Sequence, residues 1–337
     1  MKASLKLFFV GILTASIILS SSITFAVESD NTNVVSDKEK IISKLLNAGF
    51  TSEQINDLPE SELFTYKDGE IVSTDTRYYR ISRQQDEKGA THSKSKEKKV
   101  TDEGTSKVTE LTKEQCFYEV QEYNKKHNQP QSVTNASTTG GTFTTTSIYD
   151  SGAAYETDTD GWITMNLLVS HVSGTLYKLS AQWTWLTVPK YTQIDVIGLG
   201  HDEALTQTND PIYSYFKDDW TNSWHNPSSG TETFTTPEKS VADSGGSVVS
   251  YALWSHDADT NGGYLRSNYR GYMSYYANVN DSSKHWISAY AKYAHQQTSL
   301  SISPSISWPA SLGFSVEKSE KFDFLSPNPY CSVHVNY

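Results

Sequence analysis

Between residues 301 and 316 every even position is apolar: Ile302, Pro304, Ile306, Trp308, Ala310, Leu312, Phe314 and Val316. The odd positions are serine, proline or glycine. Strand side chains point alternately to opposite faces, so this two-residue period predicts an extended segment with one apolar face and one small polar face. Two readings follow, an ordinary strand of a sheet or the lipid-facing strand of a pore. Pro304 and Pro309 would each remove a ladder donor in a closed barrel, and residues 317–321 are charged. The edge or near-edge strand of a sandwich is therefore preferred, with the even positions in its core.

The same signal recurs through the second half of the chain. Extended segments are predicted at residues 162–172, 176–186, 192–197, 247–254, 264–277, 284–295 and 333–337, separated by turn clusters such as Asn226-Pro227-Ser228-Ser229-Gly230 and Asn261-Gly262-Gly263. In residues 176–186 Tyr177, Leu179, Ala181, Trp183 and Trp185 alternate with Lys178, Ser180, Gln182 and Thr184. Many short strands without intervening helical periods define a mainly β chain, an antiparallel β-sandwich or open barrel over residues 143–337.

The first half reads differently. Lys2 and Lys6 precede an apolar run from Leu7 to Leu19 and the small-residue site ending at Ala26, the pattern of a secretory signal peptide over residues 1–26. Residues 27–83 hold a small helical unit followed by a strand. Ser36-Asp37 and Thr51 are helix caps, Gly49 is a helix terminator, Pro59 starts a third helix, and residues 71–81 are extended. Residues 84–111 form a charged linker, in which Lys94, Lys96, Lys98 and Lys99 offer no apolar face. A helix capped by Thr112 and a polar spacer occupy residues 112–142.

Net charge is −11, from 28 Lys+Arg against 39 Asp+Glu, which argues against nucleic acid as a partner. A membrane enters only if the pore reading holds. Cys116 and Cys331 are the two cysteines, and in a secreted chain they are expected to pair. Asp257, Asp259 and Asn261 before Gly262 fit the opening of a calcium loop, as do Glu156, Asp158 and Asp160 before Gly161 more loosely. Position twelve is Asn268 in the first and Leu167 in the second, where an EF-hand needs a glutamate, so calcium is the one cofactor suggested and only half a motif supports it.

Catalytic signals are sparse. His201-Asp202-Glu203 and Ser255-His256-Asp257 bring acid–base groups together in sequence, without a nucleophile motif beside them. Aromatic density is the stronger feature. Tyr264, Arg266, Tyr269, Arg270, Tyr272 and Tyr275 mix flat rings with guanidinium donors, a combination suited to stacking on sugars or to a protein surface. The sequence thus predicts a secreted binding protein directed at an extracellular glycan or protein surface, ahead of a β-pore-forming protein and of a secreted hydrolase.

Overall fold

The structure, a computed structural model, describes residues 30–84, 105–127, 159–190, 192–222, 228–243, 245–253, 265–281 and 283–296, together with the backbone of four short segments at 306–307, 315–316, 322–324 and 330–334. Helix α1, Asp30–Asn47, begins earlier than its expected cap at Ser36-Asp37. It ends at Gly49, whose φ of 93° lets Gly49 N–H bond Leu46 O and Phe50 N–H bond Leu45 O, each at 3.1 Å, closing the last turn. Thr51 then caps α2, Ser52–Asp57, in a reciprocal pair with Gln54, and Pro59 opens α3, Glu60–Phe64. Ile41, Leu45, Ile55, Leu58 and Leu63 point inward from the three helices and are buried.

Next come β1, Glu70–Gln84, β2, Thr105–Leu111, and helix α4, Lys113–Lys126, with the expected Thr112 cap. The remaining strands are β3 Thr159–Ser173, β4 Leu176–Trp185, β5 Ile194–His201, β6 Leu205–Gln207, β7 Tyr213–Asn222, β8 Ser228–Phe234, β9 Lys239–Asp243, β10 Gly246–Ala252, β11 Leu265–Val279, β12 Trp286–Gln296, β13 Ile306–Ser307, β14 Ser315–Val316, β15 Phe322–Phe324 and β16 Tyr330–His334. Pairing is antiparallel throughout. Among the described residues the larger sheet runs β2-β1-β3-β4-β11-β7-β8, with β6 also on β11. The second runs β15-β12-β5-β10-β9, with β16 also on β12.

The two sheets close on one apolar layer. Ile163, Met165, Leu167, Leu179, Trp183, Met273 and Tyr275 of the larger sheet meet Ile197, Leu199, Val249, Tyr251, Ile287 and Tyr293 of the other. This is the mainly β, sandwich-like architecture that the alternation predicts. The N-terminal part is not set apart from it, because β1 pairs with β3 on one edge along most of its length and with β2 on the other edge from Tyr78 onward. The sheet therefore spans the boundary expected at 142–143, and the end of the expected linker is strand β2.

Helices α1 to α3 pack on the outer face of the larger sheet, against Leu168, Tyr215 and Tyr272. The molecule has a helical layer over one face of its sandwich. Residues 301–316 are not one strand. β13 and β14 pair with each other, Ile306 opposite Val316, and form a small sheet apart from the other two. The single sandwich strand expected there is corrected to two short paired strands, Ile306–Ser307 and Ser315–Val316. Which of their side chains are buried lies outside the described residues.

One close approach fixes the middle of the core. Gly271 on β11 faces Trp183 on β4, and a Cβ there would stand 2.0 Å from the indole ring. Gly271→Ala is expected to lower unfolding free energy by about 3 kcal/mol or more, read by chemical denaturation, since a close-packed core has no room for the ring to retreat.

Candidate functional site

The outer face of the larger sheet is polar, and it is covered. Lys178, Ser180 and Gln182 of β4, Asn166 and Ser170 of β3, and Ser274 and Arg270 of β11 are all buried. Across the strands these side chains form lateral rows. One row reads Tyr215, Tyr272, Gln182, Asn166, Thr76, and the next reads Lys217, Arg270, Thr184, Thr164, Tyr78. The helical layer meets them with its own polar groups. Glu62 Oε2 accepts from Lys178 Nζ at 2.7 Å, Tyr272 OH at 2.9 Å and Ser274 Oγ at 2.9 Å. Tyr66 OH bridges Ser180 Oγ at 2.6 Å and Tyr272 OH at 2.8 Å. Burial pushes the Lys178 ammonium below its usual pKa, against the attraction of Glu62.

A second ionic group lies at the end of the helical layer. Arg270 Nε donates to Asp57 Oδ2 at 2.5 Å and Nη1 to Asp219 Oδ1 at 3.1 Å, while Lys217 Nζ bonds Asp57 Oδ1 at 2.9 Å. Glu53 stands 3.8 Å from Arg270 and accepts from Asn268 Nδ2 at 2.5 Å. Asn268 sits at a bulge of β11 with φ 54°, a left-handed conformation in which asparagine is tolerated. Burial raises the Glu53 carboxyl pKa, opposed by Arg270.

Inside the sandwich a histidine lies between two acids. His295 Nδ1 is 2.6 Å from Asp195 Oδ1 and its Nε2 is 3.2 Å from Asp160 Oδ2. Asp195 also accepts from Tyr293 OH and from Trp185 Nε1 at 3.2 Å. Burial alone would depress the His295 pKa, but attraction to Asp195 and Asp160 outweighs it and holds the ring at about 10. Both ring nitrogens therefore carry protons at neutral pH. The cluster is an acid–base constellation by composition, yet Asp160, Asp195 and His295 are all buried, so its geometry is that of a structural clamp.

Two concavities flank α4. This helix is seated by Cys116 and Val120 against Trp162. Glu119 ties it to the sheet, taking Arg80 Nη1 on one carboxylate oxygen and Trp162 Nε1 on the other, both at 2.8 Å. On its outer flank an open groove of about 630 Å³ runs past Tyr118, Glu122, Tyr123, Lys125, Lys126 and the Trp162 edge. Tyr118 is 66% exposed, so its ring is free to cover a ligand. On the inner flank, between α4 and α2, lies a narrow cleft of about 70 Å³. Tyr78, Phe117, Val120 and Leu186 supply its apolar walls, and Thr76, Thr164, Asn166 and Glu53 its polar lining.

The residues singled out in the sequence do not come together at an open surface. Tyr269 and Tyr275 belong to the inter-sheet core, and Tyr275 OH donates to Leu199 O at 3.1 Å. Tyr272 and Arg270 are under the helical layer, and Arg266 is ion-paired with Asp218 at 2.8 Å and Glu232 at 2.6 Å. Tyr264 lies outside the described residues. The expected aromatic face is thus corrected to two buried sets, one on each side of β11, as alternation along a covered strand requires. Of the calcium candidates, Asp257, Asp259, Asn261, Glu156 and Asp158 lie outside the described residues, and Asp160 faces His295. Among the described residues no three metal-ligating side chains converge. Cys116 is a free, buried thiol whose pKa burial pushes up to about 12, so the expected bridge is not formed here, and the side chain of Cys331 lies outside the described residues. His201 is buried, its Nδ1 2.8 Å from Asp202 O. The α4 groove was missed, although the Thr112 cap and the exposed Tyr118 beside Glu122 and Lys126 were its readable signals.

No protein-family profile matches the chain, and no curated protein matches it. Among solved structures, a collagen-binding domain from a Staphylococcus aureus adhesin is 8% identical, with a TM-score of 0.21, over 48% of this chain and 98% of that domain. A chain from work on pH-induced modulation of Streptococcus parasanguinis adhesion by Fap1 fimbriae is 12% identical, with a TM-score of 0.21, over 51% of this chain and 80% of its own. Neither likeness is close enough to carry a function across.

The clamp gives a direct test. His295→Ala leaves two buried carboxylates facing each other and is expected to cost about 3–5 kcal/mol of stability. Its pH dependence follows from the raised folded pKa. The His295 contribution is whole below about pH 6.5, the unfolded value, and fades as pH climbs toward about 10. Unfolding measured from pH 6 to 10 should therefore fall more steeply in the wild type than in His295→Ala.

Proposed function

We propose that this chain is a secreted binding protein that engages an extracellular glycan along the α4 groove. The groove carries the reading. An exposed tyrosine ring, the edges of Tyr123 and Trp162, and acidic and basic groups at Glu122, Lys125 and Lys126 surround an open channel. Flat rings stack on sugar faces, and mixed charged donors and acceptors take up hydroxyl groups. Export is supported by the leader pattern of residues 1–26. Binding is favoured over hydrolysis because the His295 cluster is enclosed in the sandwich, while the groove presents no nucleophile–base pair among the described residues.

Retention on glycan arrays and on isolated cell-wall polysaccharide tests this. Tyr118→Ala is expected to weaken retention about tenfold or more, as loss of a central aromatic contact does. Its unfolding transition should stay within about 0.5 kcal/mol of wild type, because the ring is exposed. Failure of the wild type to bind any polysaccharide, or undiminished binding by the variant, would remove the reading.

One observation favours a second reading. Ile306–Ser307 and Ser315–Val316 pair with each other apart from both sheets, and the apolar–serine alternation of the sequence around them is the pattern of a membrane hairpin. The glycan reading predicts no dye release from liposomes. Leakage that disappears on replacing Ile306 and Val316 with aspartate would put the pore reading first.

A further inference from the structure

We infer that the narrow cleft between α2 and α4 binds a small primary ammonium ion carrying a compact apolar group, with the ammonium on Asn166 Oδ1 and Glu53. Asn166 is buried on the middle of β3. Its Nδ2 donates to Ala48 O at 3.1 Å and to Thr76 Oγ1 at 2.8 Å, which fixes the amide orientation and leaves Oδ1 as an acceptor with no donor among the described residues. An orphaned buried acceptor is costly, so a group that donates to it gains more than an ordinary hydrogen bond.

Three features define the guest. Both Asn166 Oδ1 and the Glu53 carboxylate accept, so the head must donate. The ionic network joined to Glu53 holds three carboxylates, Glu53, Asp57 and Asp219, against two cations, Arg270 and Lys217, so one further positive charge balances it. Tyr78, Phe117, Val120 and Leu186 wall the remainder, so the body must be apolar. Size follows from the volume of about 70 Å³. At roughly 10–15 Å³ per water position, that is room for about five or six heavy atoms. Gly49 keeps this space open, since a Cβ there would stand 2.8 Å from both Asn166 Nδ2 and Thr76 Oγ1. Gly49 serves the α1 terminus and the cleft at once.

The site is separate from the α4 groove, and its test is separate too. The mature chain is titrated with 3-methylbutylammonium, 3-methylbutanol and 3-methylbutanoate, following NMR shifts and melting temperature. The ammonium ion is expected to bind with a Kd of about 1 mM or tighter, the alcohol about tenfold more weakly, and the carboxylate not at all. Glu53→Gln should weaken the ammonium about tenfold, as loss of a charge-assisted contact does, and Phe117→Ala should weaken ammonium and alcohol together. Tyr118→Ala, which lines the groove and not the cleft, should leave the titration unchanged. Equal affinity for the three probes, no binding by any of them, or a soaked crystal with ordered water alone at Asn166 would each overturn the inference.

Discussion

The structure depends on one unusual condition: the middle of the larger sheet has no solvent face. In an antiparallel sandwich the outward residues of each strand ordinarily meet water. Here Lys178, Ser180, Gln182, Asn166, Ser274 and Arg270 occupy those positions and are buried under α1 to α3. A buried polar face is tolerable only when its groups are paired, because each lost partner costs about 1–3 kcal/mol. The helical layer supplies partners to Lys178, Ser180, Ser274 and Arg270. Glu62 alone takes three donors from two strands, and Tyr66 joins a serine of β4 to a tyrosine of β11. The short helices, too small to hold a core by themselves, are in turn fixed in place by the sheet. Each half makes the other possible, and removing either would expose or strand charged groups.

The same logic explains where electrostatics is strongest. The buried ionic groups sit at joints: Lys178 with Glu62 at the third helix, Arg270 with Asp57 at the second, and His295 with Asp160 and Asp195 between the sheets. Buried pairs of this kind add little net stability over apolar packing, yet they are costly to mismatch. Their arrangement therefore fixes register. A one-residue slip of β11 would carry Arg270 into the apolar layer and Met273 under the helices, which both layers reject.

Much of the sandwich was legible because its signal is local. The alternation of β4 shows directly which residues share a face, and Thr51, Thr112 and Gly49 announce helix ends by their own chemistry. What could not be read was which face of a strand meets what. Tyr269 and Tyr272 are three residues apart and so point into different layers by alternation, but that one layer is a second sheet and the other is helices more than two hundred residues away is not written locally. β7, β8 and β9 were missed for a related reason. Polar positions dominate β8, and the paired acids Asp218 and Asp219 interrupt the pattern of β7 until Arg266 and Arg270 are seen to neutralise them. The separation of β13 and β14 was hidden by the very regularity of residues 301–316, since perfect alternation describes a hairpin as well as a strand.

Helix α4 gathers these constraints into one place. It follows β2 directly, so the pairing of β2 with β1 sets where it starts, and Glu119 sets its rotation through Arg80 of β1 and Trp162 of β3. With the rotation fixed, Cys116 and Val120 must face the sheet, Tyr118 and Glu122 must face outward, and Phe117 must face α2. The helix thus has a groove on one flank and a cleft on the other, built on strands that cannot shift without breaking the ionic joints. With those strands held in place, the two concavities stay unlike: an open channel past Tyr118 and Tyr123 on one flank, and an enclosed space lined by Asn166 and Glu53 on the other.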